Sequence, residues 1–156
     1  MLYASLKLAH TLAIIVWIGG MVFAHFFLRP ATISLDAPQR VCLMYDTLRR
    51  FFNAVSVAVL VILATGLWMI GHVAKQVVQS GGSFAMPLGW TLMASFGIVM
   101  MLIFAHIRFA LFKRLSRAVQ ASDWAAGGLA LASIRTWVAV NLGLGVLIVF
   151  VTLLLY

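Results

Sequence analysis

The stretch Phe51 to Val78, FFNAVSVAVLVILATGLWMIGHVAKQVV, decides the fold. It is apolar almost throughout, and its one charge, Lys75, sits near its far end. About 20 apolar residues suffice to cross a hydrocarbon core of about 30 Å. Backbone groups in lipid must pair within their own segment, so the stretch predicts a helix. Three further runs read the same way, from Tyr3 to Leu28, Met86 to Phe112 and Ile134 to Tyr156. The expectation is an all-α integral membrane four-helix bundle over 1–156 as a single transmembrane domain, with helices over 3–28, 51–78, 86–112 and 134–156.

Composition agrees. Of 156 residues, 65% are hydrophobic and only 9% are charged, against about 25% charged in a soluble domain. Lys and Arg number 11 and Asp 3, and glutamate is absent. A basic balance in a membrane chain reports topology and contact with anionic headgroups, so no nucleic-acid partner is expected. Without glutamate, carboxylate-bridged di-iron chemistry of the Glu-x-x-His kind is excluded. Cys42 is the one cysteine. No intrachain disulfide can form, and no Cys-x-x-Cys-His motif attaches haem covalently. No phosphate-binding loop or dinucleotide fingerprint is present.

The first run lacks the cationic leader and small-residue cleavage site of a signal peptide, and Arg29-Pro30 follows it, so it reads as a retained helix. Nine basic residues fall on one side: Arg29, Arg40, Arg49, Arg50, Arg108, Lys113, Arg114, Arg117 and Arg135. Lys7 and Lys75 fall on the other. The positive-inside rule then places loops one and three in the cytoplasm and both termini in the periplasm of a bacterial inner membrane. Asp36-Ala37-Pro38 and Ser80 to Ser83 read as turns, and Ser122-Asp123-Trp124 as the cap of a short interfacial helix.

Four histidines lie in or at the ends of these helices: His10, His25, His72 and His106. Ionisable groups at membrane depth are costly and mark function, the plain alternative being a neutral imidazole bonded to a neighbouring helix. His10 is expected about 10 Å inside the outer boundary, with His72 at a similar level and Met69 one turn away. His25 and His106 form an inner pair. His10 and His25 differ by about 60° in direction on an ideal helix, so both can face the interior. Facing helices that supply imidazole suit haem b. Gly19, Gly20, Gly66, Gly71, Gly97, Gly143 and Gly145 leave room for a flat macrocycle, or for close helix packing. Arg50, Arg108 and Arg135 on the basic rim are candidate partners for haem or porphyrin propionates. Methionine offers a competing site, because thioether with imidazole favours Cu(I). Met21 with His25, Met69 with His72, and Met100 and Met101 before His106 have the spacing for it.

The run Leu6-Lys7-Leu8-Ala9-His10, followed by Val16-Trp17-Ile18-Gly19-Gly20, resembles the first helix of the CopD-type membrane domain, and equally that of the HemJ-type protoporphyrinogen oxidases. The likeness continues through Leu48-Arg49-Arg50-Phe51, Thr65-Gly66-Leu67-Trp68, Gly89-Trp90 and His106, and is weakest in the last helix. It implies a haem b oxidoreductase acting on protoporphyrinogen IX, or a protein of copper uptake and tolerance, with His10 the essential first-helix histidine. HemJ-type proteins carry a lysine early in helix three, where this chain reads Trp90 to Ser95 without one. Of the Asn-Glu pair in their last helix only Asn141 has a counterpart. Three functions follow as expectations. One is a b-type haem protein moving electrons to or from quinone or a porphyrinogen. The second is a copper-homeostasis protein. The third is an accessory subunit of a larger membrane complex or a homo-oligomer.

Overall fold

A computed structural model describes residues 1–154. Four long helices account for nearly all of them: α1 Leu2–Ala31, α2 Ala37–Gln79, α3 Leu88–Gln120 and α4 Trp124–Leu154. Each is long and apolar enough to span a membrane, and no strand occurs among the described residues. Leu155 and Tyr156, the end of the fourth expected span, lie outside the described residues.

Three helices run well beyond their expected ends. α2 begins at Ala37 instead of residue 51, α3 continues to Gln120 instead of residue 112, and α4 begins at Trp124 instead of residue 134. In α2 and α3 the reason is amphipathicity, which averaging of hydropathy hides; in α4 it is an uncharged, small-residue stretch, Trp124 to Ile134, that continues the apolar run. In the first part of α2, Val41, Leu48 and Phe52 recur on one face and are buried, while Arg49 and Arg50 are exposed. Leu111, Phe112, Leu115 and Ala118 do the same at the end of α3. Asp36 caps α2 by accepting from Gln39 N at 2.9 Å, with Pro38 in the first turn. Asp123 caps α4 by accepting from Ala126 N at 2.9 Å. It therefore starts the fourth long helix, not a separate interfacial one. Across Ser80 to Ser83, Gly81 takes φ +84, the left-handed conformation a tight turn requires.

Neighbouring helices are antiparallel. The Tyr3 ring meets His72, and Gly20 meets Phe51, between α1 and α2. His106 meets Trp137 between α3 and α4, and Met21 meets Asn141 between α1 and α4. The start of α1 and the end of α4 therefore share one end, here called the terminal end; most of the arginines gather at the other, the basic end.

The core sits in the basic half. Trp17, Phe52, Phe104 and Phe112 meet edge to face at 5.4–6.0 Å, and Tyr45 stacks on Phe112 at 5.3 Å. Arg108 lies over the same Phe112 ring at 5.4 Å and donates to Asn53 Oδ1 at 3.2 Å. Toward the terminal end the bundle parts around a cavity. Both odd-numbered helices contain a π-helical turn, Phe23–Leu28 in α1 and Ile107–Leu111 in α3.

Close approach in the basic half depends on glycine. A Cβ on Gly127 of α4 would stand 2.8 Å from Val41 Cγ1 of α2, while one on Gly128 would meet nothing within 4 Å. Val41 is buried and β-branched, so it cannot turn aside. Gly127→Ala is expected to lower stability by about 1–3 kcal/mol through overpacking, and Gly128→Ala to leave it unchanged or raised. Unfolding of the two variants in detergent checks this; equal stability would show that the α2–α4 contact is not the tight one.

Candidate functional site

The parted half forms a largely apolar cavity of about 350 Å³ that opens to the bundle surface past Leu67 and Leu153, within the range of ligand pockets. All four helices line it: His10, Trp17 and Ile18 from α1, Ile62 and Gly66 from α2, Met93, Met100 and Met101 from α3, and Gly145 from α4 among them. His10 is the one histidine on its wall.

Thr65 positions that histidine: its hydroxyl oxygen lies 2.8 Å from His10 Nδ1. The same oxygen is 2.6 Å from the Val61 carbonyl of its own helix, to which the hydroxyl donates. With the single hydroxyl proton placed there, the oxygen is left to accept from a protonated Nδ1. A neutral His10 so held carries its proton on Nδ1 and keeps a lone pair on Nε2, the form that binds a metal. Thr65 is itself buried, so the pair is shielded from competing water. Gly66 follows, and a Cβ there would just touch His10 Cε1 at 3.4 Å. The Thr65-Gly66 dipeptide thus supplies a hydrogen bond and room for the ring together.

The side chains on this wall that carry a donor atom are those of His10, Met93, Met100, Met101, Thr11 and Thr152, and the two threonine hydroxyls spend their protons on the Lys7 and Ile148 carbonyls of their own helices. Among the described residues no three His, Cys, Asp or Glu side chains come together to hold an ion.

The other expected site residues fall elsewhere. His72 lies about 10 Å of helix rise beyond Thr65, stacked on Trp68 at 4.8 Å and tilted against Tyr3 at 6.0 Å. Neither it nor Met69 lines the cavity, so the expected pairing of His10 with His72 at one level is corrected. The antiparallel register sets Thr65, not His72, opposite His10. His106 is exposed on the bundle surface against the Trp137 edge at 5.3 Å, so it does not form an inner pair with His25. His25 and Arg135 line a second cavity, at the basic end. Arg50 is exposed there, and Arg108 is held by Asn53 and Phe112. From Asn53 to Thr65 is about 18 Å of rise along α2, which separates the arginine rim from the His10 cavity.

Asn141 was not among the expected site residues. It is 1% exposed in the middle of α4, donates only a long contact to Met21 Sδ at 3.9 Å, and leaves its Oδ1 without a partner among the described residues. A carboxamide inside an apolar run was its visible signal. Met93 and Thr65 carried less signal, because methionine and threonine are ordinary in such helices.

The chain was compared with known proteins. The family described as CopD, Copper resistance protein D, matches residues 45–155. No curated protein matches, and no solved structure does. The matched span holds Thr65, the three cavity methionines and Asn141, and takes in the last helix, where the resemblance read from the sequence was weakest. It begins after α1, so His10 and its surrounding motif stand outside it. Nothing found carries the likeness to HemJ-type proteins. With well over half of its residues matched, the chain belongs to the CopD family.

Proposed function

We propose that the protein handles copper inside the bacterial inner membrane, taking Cu(I) as cargo in the cavity beside His10. The observation that carries this reading is the donor set. His10 offers Nε2 because Thr65 holds Nδ1, and Met93, Met100 and Met101 line the same cavity. Imidazole and thioether are soft to borderline ligands of the kind Cu(I) takes. Family membership supports the same class. The wall is largely apolar and carries no carboxylate, which disfavours Mg²⁺, Ca²⁺ and Mn²⁺ at this place.

A second reading has one observation in its favour. The cavity, at about 350 Å³, is roomier than a bare ion requires. A haem b held by His10 with one methionine would be a His/Met pair, as in electron-transfer cytochromes. Quinone or porphyrin would then be its partner.

Copper analysis and an optical spectrum of the purified chain separate the two. With Cu(I) supplied under reductant, about one ion per chain is expected, and His10→Ala should weaken binding by about tenfold or more. Thr65→Val should weaken it in the same direction, since it frees the tautomer, and Thr65→Ser should not. A haem spectrum lost in His10→Ala would overturn copper and establish haem. A chain that binds neither would overturn both and leave an accessory role in a larger complex.

We further propose that the basic end is cytoplasmic and the terminal end periplasmic, on the nine-to-two distribution of cations. A periplasm-dependent reporter fused after the last residue should be active. Activity only of a cytoplasmic reporter there would reverse the orientation.

A further inference from the structure

The second cavity, of about 260 Å³, lies at the basic end between α1, α2 and α4. Arg29 comes to it from the end of α1, Arg40 from the start of α2 and Arg135 from α4, and His25 joins them from the π-helical turn of α1. Three arginines from three helices thus border one space, Arg40 half-buried and Arg29 and Arg135 exposed at its mouth. Its floor is apolar and close-packed, formed by Leu48, Ile134 and Val138, all buried. Thr32, also buried, donates to the Arg29 carbonyl at 2.8 Å and fixes the turn that carries Arg29.

No carboxylate of this chain answers those charges. The sequence has three acidic side chains. Asp36 caps α2, Asp123 caps α4, and Asp46 lies 3.8 Å from Arg49. Other cations of the basic end have their own arrangements: Arg49 has Asp46, and Arg108 has Asn53 and the Phe112 ring. The convergent three have no counter-ion from within, so mutual repulsion must be relieved from outside. Guanidinium groups take phosphate in bidentate pairs, and basic pockets between membrane helices bind lipid headgroups. The floor decides between sources, because a soluble anion has no use for a wall of leucine, isoleucine and valine.

We infer that this pocket binds the phosphate of an anionic phospholipid, with the glycerol and upper acyl chain against Leu48, Ile134 and Val138. The lipid acts as the missing counter-ion that lets the ends of α1, α2 and α4 stay together. This site is separate from the His10 cavity and independent of what that cavity holds.

The test is thermal unfolding of the purified full chain in neutral detergent with phosphatidylglycerol, phosphatidylcholine or sodium phosphate at equal phosphate concentration. Phosphatidylglycerol should raise the midpoint, phosphatidylcholine should do so less, and sodium phosphate should not. The Arg29→Gln/Arg40→Gln/Arg135→Gln variant should lose most of the shift, with its affinity for phosphatidylglycerol by native mass spectrometry down about tenfold or more. Lys113→Gln/Arg114→Gln/Arg117→Gln, which removes three cations from the same end, should keep it. Where the triple variant does not fold, Arg40→Gln and Arg135→Gln singly should each lose part of the shift. A shift retained in the pocket variants, or lost equally in the control, would overturn the site. A shift with sodium phosphate equal to that with phosphatidylglycerol would overturn the lipid and assign a soluble phosphate.

Discussion

Hydrocarbon offers no hydrogen-bond partner to a polar group, so each one in this bundle must find its partner within the protein. Most hydroxyls meet that demand on their own helix. Ser56, Thr65, Ser95, Thr136 and Thr152 each donate to the carbonyl four residues back. His10 cannot do so, and reaches across to α2, where Thr65 has an oxygen lone pair free only because its proton is already placed. One constraint thus accounts for the position of the ring beside the cavity. Asn141 is the exception that remains, with a buried Oδ1 that nothing among the described residues satisfies. Such a group carries a desolvation penalty of about 1–3 kcal/mol, and it lies in the core between the two cavities rather than on either wall.

The bundle divides its labour along its length. In the basic half, aromatic rings and glycine contacts close the four helices into a packed unit. In the terminal half they stand apart around the His10 cavity. The rigid half holds α1 and α2 in register, and that register is what brings His10 to Thr65. A site that must admit an ion or a ligand from lipid or water gains from being built at the open end of an otherwise fixed frame. The basic rim is a separate feature, with nine of the eleven cations against the chain's three acids, so it cannot be neutralised from inside the chain.

Much of this was legible in the sequence, and the failures have physical causes. Four spans follow from apolar run length alone, because lipid permits no other backbone solution for such segments. His10 stood out because an imidazole that deep is costly. The extended ends of α2 and α3 escape a run-length reading because basic and apolar residues share each turn there, and such a reading treats an amphipathic helix as a loop; the start of α4, Trp124 to Ile134, carries no charge, and Gly127-Gly128 there read as a break. The His10–His72 pairing failed because depth was estimated for each helix separately. The relative register of two helices is set by side-chain contacts such as Gly20 with Phe51, which a single sequence does not display. Spacing along one chain pairs Met100 and Met101 with His106, whereas in space they line the cavity that His10 lines.

The central claim is that His10 and methionine thioethers form one soft site. X-ray absorption at the copper edge of the Cu(I)-loaded chain tests it most directly. The account predicts a low-coordinate Cu(I) with both imidazole nitrogen and sulfur scatterers, the nitrogen lost in His10→Ala and the sulfur lost when Met93, Met100 and Met101 are replaced by leucine. A first shell of nitrogen and oxygen alone, unchanged in those variants, would contradict it.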